Sequence, residues 1–471
     1  MGGVFLRELD TIAAVSTPRG KGGVAMIRIS GADAITLSEK VFFPGNGKPL
    51  HDIPSNHMTF GFIKETDADG KTSVIDDGMA AVYRAPHSFT GENTVEIFCH
   101  GGVLVTETVL AACFAAGCRP AEAGEFTRRA FVNGKLSLTQ AESLGALLEA
   151  KTHSQMMLSH GGMAGHLSRK ISAVYERLRA VLASAYAGID FPDEELASLN
   201  AEEMRRETQD ALRELTSLAE TYKAGHAIRE GIKTVICGKT NVGKSSLYNR
   251  IVGSDAAIVT SVEGTTRDIL TQTAPLGRVT LLLSDTAGLR ESSDEVENIG
   301  IKRAKSAIDA AELIFAVFDV SSELCEEDTA LIISLSDADV PVIAVLNKCD
   351  KEKICKKTVD TLESAFRHTV KISAETGEGM EMLQNMTENL FDCGDIDLTG
   401  GAVVADARQY AAICRAAEKL RLSFASMEAS LPLDLCCVDI EGAMSDLSEL
   451  DGREVTEEIV SEIFSHFCVG K

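Results

Sequence analysis

Residues 233–247 read KTVICGKTNVGKSSL, and few stretches restrict a fold as tightly. A β-rich apolar run breaks at Gly238, and Gly243-Lys244-Ser245 follows at the spacing G-x-x-x-x-G-K-[ST]. The glycines let backbone N–H groups curl around phosphates, Lys244 reaches the β and γ groups, and the Ser245 hydroxyl ligates Mg²⁺. Asn241, Val242 and Ser246 complete the nucleotide contacts of this loop. Such a loop works only between a parallel strand and a helix, so the surrounding chain should form an α/β sheet.

From Gly231 to about Leu390, apolar β runs (KTVICG, VTLLLSD, LIFAVFDV, PVIAVLNK, TVKISA) alternate with helical segments. That is the pattern of a doubly wound parallel sheet. Three further motifs follow in the order a GTPase requires. Gly264-Thr265-Thr266 offers Thr266 as a switch threonine for Mg²⁺ and the γ-phosphate. Asp285-Thr286-Ala287-Gly288 ends a strand, which puts a carboxylate beside the metal and the Gly288 N–H at the γ-phosphate. Asn347-Lys348-Cys349-Asp350 ends another, and Asp350 can accept from both the N1–H and N2–H₂ of guanine, a pair adenine lacks. Ser373 and Ala374 stand where the last guanine-contacting loop belongs. GTP is therefore the expected nucleotide. Leu289 follows Gly288 where familiar small GTPases carry a water-orienting glutamine, and an isobutyl group cannot hydrogen-bond. A carboxylate in the acidic run Glu291, Asp294, Glu295 and Glu297 can substitute, but spacing does not choose among the four.

Around this segment the texture differs. Residues from about 10 to 133 carry strand-like runs (GVAMIRISG, DDGMAAVYR, NTVEIFCHGG) and an apolar helix near Val103–Ala116, a small α+β domain. After Lys135, Ser137–Gln140 and Thr139–Glu142 are both possible capping boxes, and helical patterning runs to about Ile228. It returns from Val403 to the end. The resulting expectation is a helical domain interrupted by the α/β insert, with boundaries at 1–134, 135–228, 229–394 and 395–471. The 471 residues carry a net charge of −24, which excludes wholesale nucleic-acid coating and confines any RNA contact to a local basic patch. The 12 cysteines show no Cys-x-x-Cys or zinc-finger spacing. The start lacks an apolar signal region and no run is long enough to span a bilayer, so the expectation is a cytoplasmic chain without a membrane partner.

The motifs and their flanks together resemble the bacterial tRNA-modification GTPases of the MnmE (TrmE) family. The resemblance rests on DTIAAVSTPRGKGGVAMIRISG, SFTGENTVEIFCHGG, GEFTRRAFVNGKLSLTQAE, IDFPDEE, the GTPase motifs and the terminal Phe467-Cys468-Val469-Gly470-Lys471. It implies a multidomain α/β architecture: an amino-terminal folate-binding and dimerising α+β domain, a helical domain, and an inserted Ras-like P-loop GTPase domain. It implies a potassium-dependent hydrolase in which Glu297 positions the water. Asn241 and oxygens of Thr260, Val262 and Thr265 would hold K⁺ in place of an arginine finger; Ser261 and Glu263 lie in the same nucleotide-contacting loop. A homodimer is implied. It would act on tRNA with the flavoprotein MnmG as a heterotetramer, adding an aminomethyl or carboxymethylaminomethyl group at carbon 5 of the wobble uridine. The one-carbon donor would be 5,10-methylene-tetrahydrofolate, with 5-formyl-tetrahydrofolate as a related ligand. The implied folate residues are Arg28, Glu96, Lys135 and Lys471. A carboxylate such as Glu96 suits a pterin edge, and Arg or Lys suits a glutamyl tail. Cys468 can be a nucleophile or a quiet thiol, and Gly470 argues against prenylation.

Two other classes compete. A GTP-gated RNA-binding or ribosome-assembly switch would bring a basic domain after the GTPase, yet EGAMSDLSELDGREVTEE is acidic. A membrane-remodelling GTPase would need a lipid-binding helix or anchor, and neither is legible.

Overall fold

A computed structural model describes residues 10–66, 71–190, 201–253, 271–284, 310–336, 338–394, 396–453 and 456–470. It contains two compact units, Met1–Gly145 with Leu447–Lys471, and Ala146–Asp446.

The first unit is built on seven strands, β1 (Ile12–Val15), β2 (Val24–Ser30), β3 (Phe42–Pro44), β4 (Met58–Thr66), β5 (Thr72–Tyr83), β6 (Thr94–His100) and β7 (Arg119–Pro120). They lie in the order β3-β4-β5-β6-β2-β1-β7. Alternation along β2 and β6 sends Ala25, Ile27, Ile29, Val95 and Ile97 to one face. There they pack with Val109 and Cys113 of the Val103–Ala116 helix. The opposite face carries Arg28 and Glu96, which are register partners. Of the two possible caps after Lys135, Ser137 is used: Gln140 N–H donates to its hydroxyl and Gln140 Oε1 accepts from its N–H. Thr139 instead lies buried inside the Leu138–Glu149 helix. Thr456 caps the Glu457–Ser465 helix, whose Val460 and Phe464 pack with Phe131, Leu138 and Ala141.

The second unit holds a six-stranded sheet of β8 (Ile232–Cys237), β9 (Thr271–Leu276), β10 (Val279–Ser284), β11 (Leu313–Asp319), β12 (Val342–Asn347) and β13 (His368–Lys371). Its order is β13-β12-β11-β8-β10-β9, parallel except for β9, which pairs antiparallel with β10. β11 shows why such strands read as unbroken apolar runs. Leu313, Phe315 and Val317 enter one core, Ile314, Ala316 and Phe318 the other, all fully buried. The sequence pattern picks out five of these strands and misses β9. TQTAPL has little apolar signal and contains Pro275, which only an edge strand tolerates. Gly277, at φ +65°, makes the turn between β9 and β10. Helices on either side of this sheet in sequence pack together, with Arg205 on Ala201–Glu220 bonded to Glu428 on Ala407–Glu428 at 3.0 Å. Among the described residues, no helix is long and apolar enough to cross a membrane.

Candidate functional site

The carboxyl ends of β8, β11, β12 and β13 open onto one edge of the second unit's sheet, where ligands of open α/β sheets bind. After β8 the chain turns through Gly238 at φ +145°, Asn241 at +63° and Gly243 at +101° before the Lys244–Gly253 helix begins. Asn is the side-chain-bearing residue best suited to the left-handed region, so a short polar residue at 241 fits its backbone. A methyl group on Gly238 would come within 2.4 Å of the Val317 carbonyl, and one on Gly243 within 2.1 Å of Asn347 Nδ2. Both glycines are therefore fixed by neighbours as well as by φ. The Lys244 ammonium donates to the carbonyls of Gly238 (2.7 Å) and Lys239 (2.6 Å), which folds it back over the loop. Ser245 and Ser246 occupy the first turn of the helix.

Asn347 joins this loop to the next. It is 2% exposed; its Nδ2 donates to the Val242 carbonyl at 2.7 Å, and its Oδ1 accepts from Ala374 N–H at 2.9 Å. Ser373 and Ala374 are buried just beyond β13. Asp350 is exposed, and a hydrogen bond from Ser373 holds its carboxyl below the usual aspartate range. It therefore stands as an acceptor at neutral pH. Lys348, at φ +69°, pairs with Asp319 at the end of β11 (2.6 Å). Arg250 Nε braces the same region by donating to the Ala374 carbonyl at 3.2 Å. Sequence motifs name Asn347, Val242 and Ala374 but not the bonds that join them, and they miss Asp319 and Arg250 altogether.

Thr260, Ser261, Val262, Glu263, Gly264, Thr265, Thr266, Asp285, Thr286, Ala287, Gly288, Glu297 and Lys471 lie outside the described residues.

A second constellation sits in the first unit. Arg28 Nε donates to Glu96 Oε1 at 2.9 Å, with the two side chains 14% and 13% exposed. Phe89 and Phe126 flank the guanidinium, at 5.2 and 5.7 Å from its carbon to the ring centroids. Burial, then the neighbouring Glu96 carboxylate, raises the Tyr83 hydroxyl above its ordinary range. Tyr83, Phe89 and Phe126 are additions that no sequence signal marked. Arg28 and Glu96 face each other, so the guanidinium lies at the same end of the site as the carboxylate. Lys135 is exposed and donates to the Pro86 carbonyl at 3.1 Å, beside the loop that carries Phe89.

The carboxyl-terminal tail reaches this unit's sheet. Val469 forms an antiparallel bridge with Ala123, and Ser16 Oγ donates to the Gly470 carbonyl at 2.8 Å. Gly470, at φ +98°, leaves no room for a side chain: a methyl group would meet the Val15 carbonyl at 2.1 Å. Gly124 must also be glycine, since a methyl group would come within 2.5 Å of the Phe464 carbonyl. Next to it, Glu125 is fully buried and bound by Arg119 (2.6 Å) and Arg129 (2.8 Å). Cys468 is exposed.

A phosphate-type loop between a parallel strand and a helix, tied by an asparagine to a guanine-type loop, defines a P-loop GTPase fold with additional domains. A family model described as the MnmE helical domain matches residues 138–468, and one described as the GTP-binding protein TrmE N-terminus matches residues 11–135. The tRNA modification GTPase MnmE of Lactobacillus helveticus is 38% identical over 467 residues, covering 99% of each chain. That of Symbiobacterium thermophilum is 40% identical over 462 residues, covering 98% of this chain and 99% of its own. Among solved structures, the G domain of the T. maritima FeoB iron transporter is 26% identical, with a TM-score of 0.26; the match covers 34% of this chain and 98% of that one. The chain belongs to the MnmE (TrmE) family of tRNA modification GTPases. It is a GTP-hydrolysing enzyme of tRNA modification.

Proposed function

We propose that this chain couples K⁺-dependent GTP hydrolysis to modification of carbon 5 of the tRNA wobble uridine. It acts as a homodimer with a flavoprotein partner of the MnmG type, and the group added is aminomethyl or carboxymethylaminomethyl. The observation that carries this reading is the tail. Ser16, Ala123 and Gly470 hold the last residues on the unit that also presents Arg28 and Glu96. Glu96, Arg28 and the exposed Phe89 ring offer a carboxylate, a guanidinium and one stacking face, while Phe126 is buried behind the guanidinium; this set fits a tetrahydrofolate derivative. When bound, that group supplies the one-carbon unit. This chain's residues orient it: Glu96 accepts from the pterin edge, while Lys135 and Lys471 attract the glutamyl tail.

In the GTPase domain, the hydroxyls of Ser245 and Thr266 suit Mg²⁺ as hard oxygen ligands, with Lys244 neutralising the phosphates. K⁺ would be held by Asn241, Thr260, Val262 and Thr265, a hard-oxygen set whose charge offsets that developing on the phosphates. Glu297 orients the water that Leu289 cannot. Along β4, Met58, Phe60 and Phe62 form an exposed apolar row on one face, which supports contact with a second copy.

Mass spectrometry of tRNA from cells lacking the protein tests the reading. Loss of the modified wobble uridine is the expected result, and an unchanged nucleoside profile refutes it. Equal GTP turnover in Na⁺ and K⁺, or an active Glu297→Ala variant, removes the proposed hydrolytic mechanism.

A further inference from the structure

The phosphate loop has an anchor that its own motif does not contain. Lys239 is the first variable residue of the loop, where the motif accepts any side chain. Its ammonium lies 2.6 Å from Asp328 Oδ2, on the first turn of the Glu326–Ser336 helix. Asp328 is 2% exposed, and its Oδ1 has no hydrogen-bond partner among the described residues. The same Oδ2 accepts from Cys325 N–H at 3.1 Å. A carboxylate this buried costs several kcal/mol unless it is paired, so Lys239 and Asp328 depend on one another. Lys239 also acts through its backbone, because its carbonyl accepts from the Lys244 ammonium at 2.6 Å.

We propose that Asp328 is a positioning residue for nucleotide phosphates: through Lys239 it fixes the loop conformation and the placement of Lys244. The inference rests on the reading of Gly238–Ser245 as the phosphate site. A loop that holds Asn241 at φ +63° and Gly243 at +101° gains from an outside tether. Its helix ladder begins only at Lys244, and the anchor at Lys239 secures the other end. The competing role for Asp328 is local, as a cap accepting from Cys325 N–H. Asparagine at 328 keeps that acceptor and loses the charge. Methionine at 239 removes the ion pair and leaves the cap untouched.

The test measures GDP and GTP affinity by calorimetry in the full chain, with thermal unfolding recorded for each variant. Lys239→Met and Asp328→Asn should each weaken both nucleotides about tenfold, the scale of one charge-assisted hydrogen bond. The double variant should lose no more than either single variant, and Lys239→Arg should bind within a few-fold of the parent. The double variant also removes the unpaired buried carboxylate left by Lys239→Met, which keeps the comparison valid if that single variant is unstable. Wild-type affinity in Lys239→Met overturns the inference, as does an effect that multiplies in the double variant. Lys244→Ala separates the two levels. If it abolishes binding while Lys239→Met binds normally, only the anchor is wrong; if it binds normally, the phosphate-site reading falls and the anchor with it.

Discussion

Asn347→Ala probes whether one side chain holds the phosphate and guanine loops together. The side chain makes two buried hydrogen bonds, to the Val242 carbonyl at 2.7 Å and from Ala374 N–H at 2.9 Å. Val242 and Ala374 are 1% and 4% exposed, so truncation leaves a buried carbonyl and a buried amide with their desolvation unrepaid. Each such orphan costs about 1–3 kcal/mol, so the two loops together lose roughly 2–6 kcal/mol of local stability. Hydrogen exchange reads this directly. Protection of the Ala374 amide should fall by a factor of about 5–150, the conversion of that per-group cost, and GDP affinity should fall with it.

Asn347→Asp sharpens the test. It keeps an acceptor for Ala374 N–H but turns a second oxygen toward the Val242 carbonyl. Ala374 should then stay protected while GDP binding is lost. Unchanged exchange at Ala374 in Asn347→Ala, with unchanged GDP affinity, would refute the bridge.

Three other outcomes are expected. Asp350→Asn should weaken GTP and admit xanthosine nucleotides, because it replaces a double acceptor with a donor and an acceptor; full preference for GTP over XTP would show that Asp350 does not read the base. Deleting Cys468–Lys471 removes the Val469–Ala123 bridge and the Ser16–Gly470 bond, so it should abolish 5-formyl-tetrahydrofolate binding in calorimetry and spare GTP hydrolysis. Undiminished folate affinity would exclude the tail from the site. Hydrogen bonding by Arg119 holds Asp10 below the ordinary aspartate value, against the opposing effect of burial. A depressed carboxylate contributes stability above its unfolded pKa and loses it as pH falls through the folded one, so the contribution disappears below about pH 4. Asp10 is 44% exposed, so its share is less than about 1 kcal/mol. Melting curves between pH 3 and 7 should therefore show a small acid loss that Asp10→Asn flattens.

What the sequence made legible follows the distance over which each signal acts. The strand, turn and helix around Gly238–Ser245 lie within about one span of local structure, and spacing alone fixes them. β9 escaped because its signal is not local: an edge strand needs neither an apolar run nor a proline-free one, and only pairing with β10 reveals it.

The pairings within the site escaped for the same reason on a larger scale. Asn347 meets Val242 only because β11 alone separates β12 from β8, a fact of sheet order that no motif carries. Lys239 meets Asp328 because the helix following β11 begins beside the loop following β8, and the loop motif leaves position 239 open to any residue. The four motifs thus mark the residues proposed to touch the nucleotide. Atoms that hold those residues are spread over other strands. They come from distant sequence positions, and the strand order returns them to the same edge. Glu297 belongs between these cases. Four carboxylates share its acidic run, any of them can orient a water, and spacing does not choose among them. Only the turnover of single variants across Glu291, Asp294, Glu295 and Glu297 can assign the water to its base. Glu297→Ala is expected to be the one that stops hydrolysis, with the other three retaining it in K⁺.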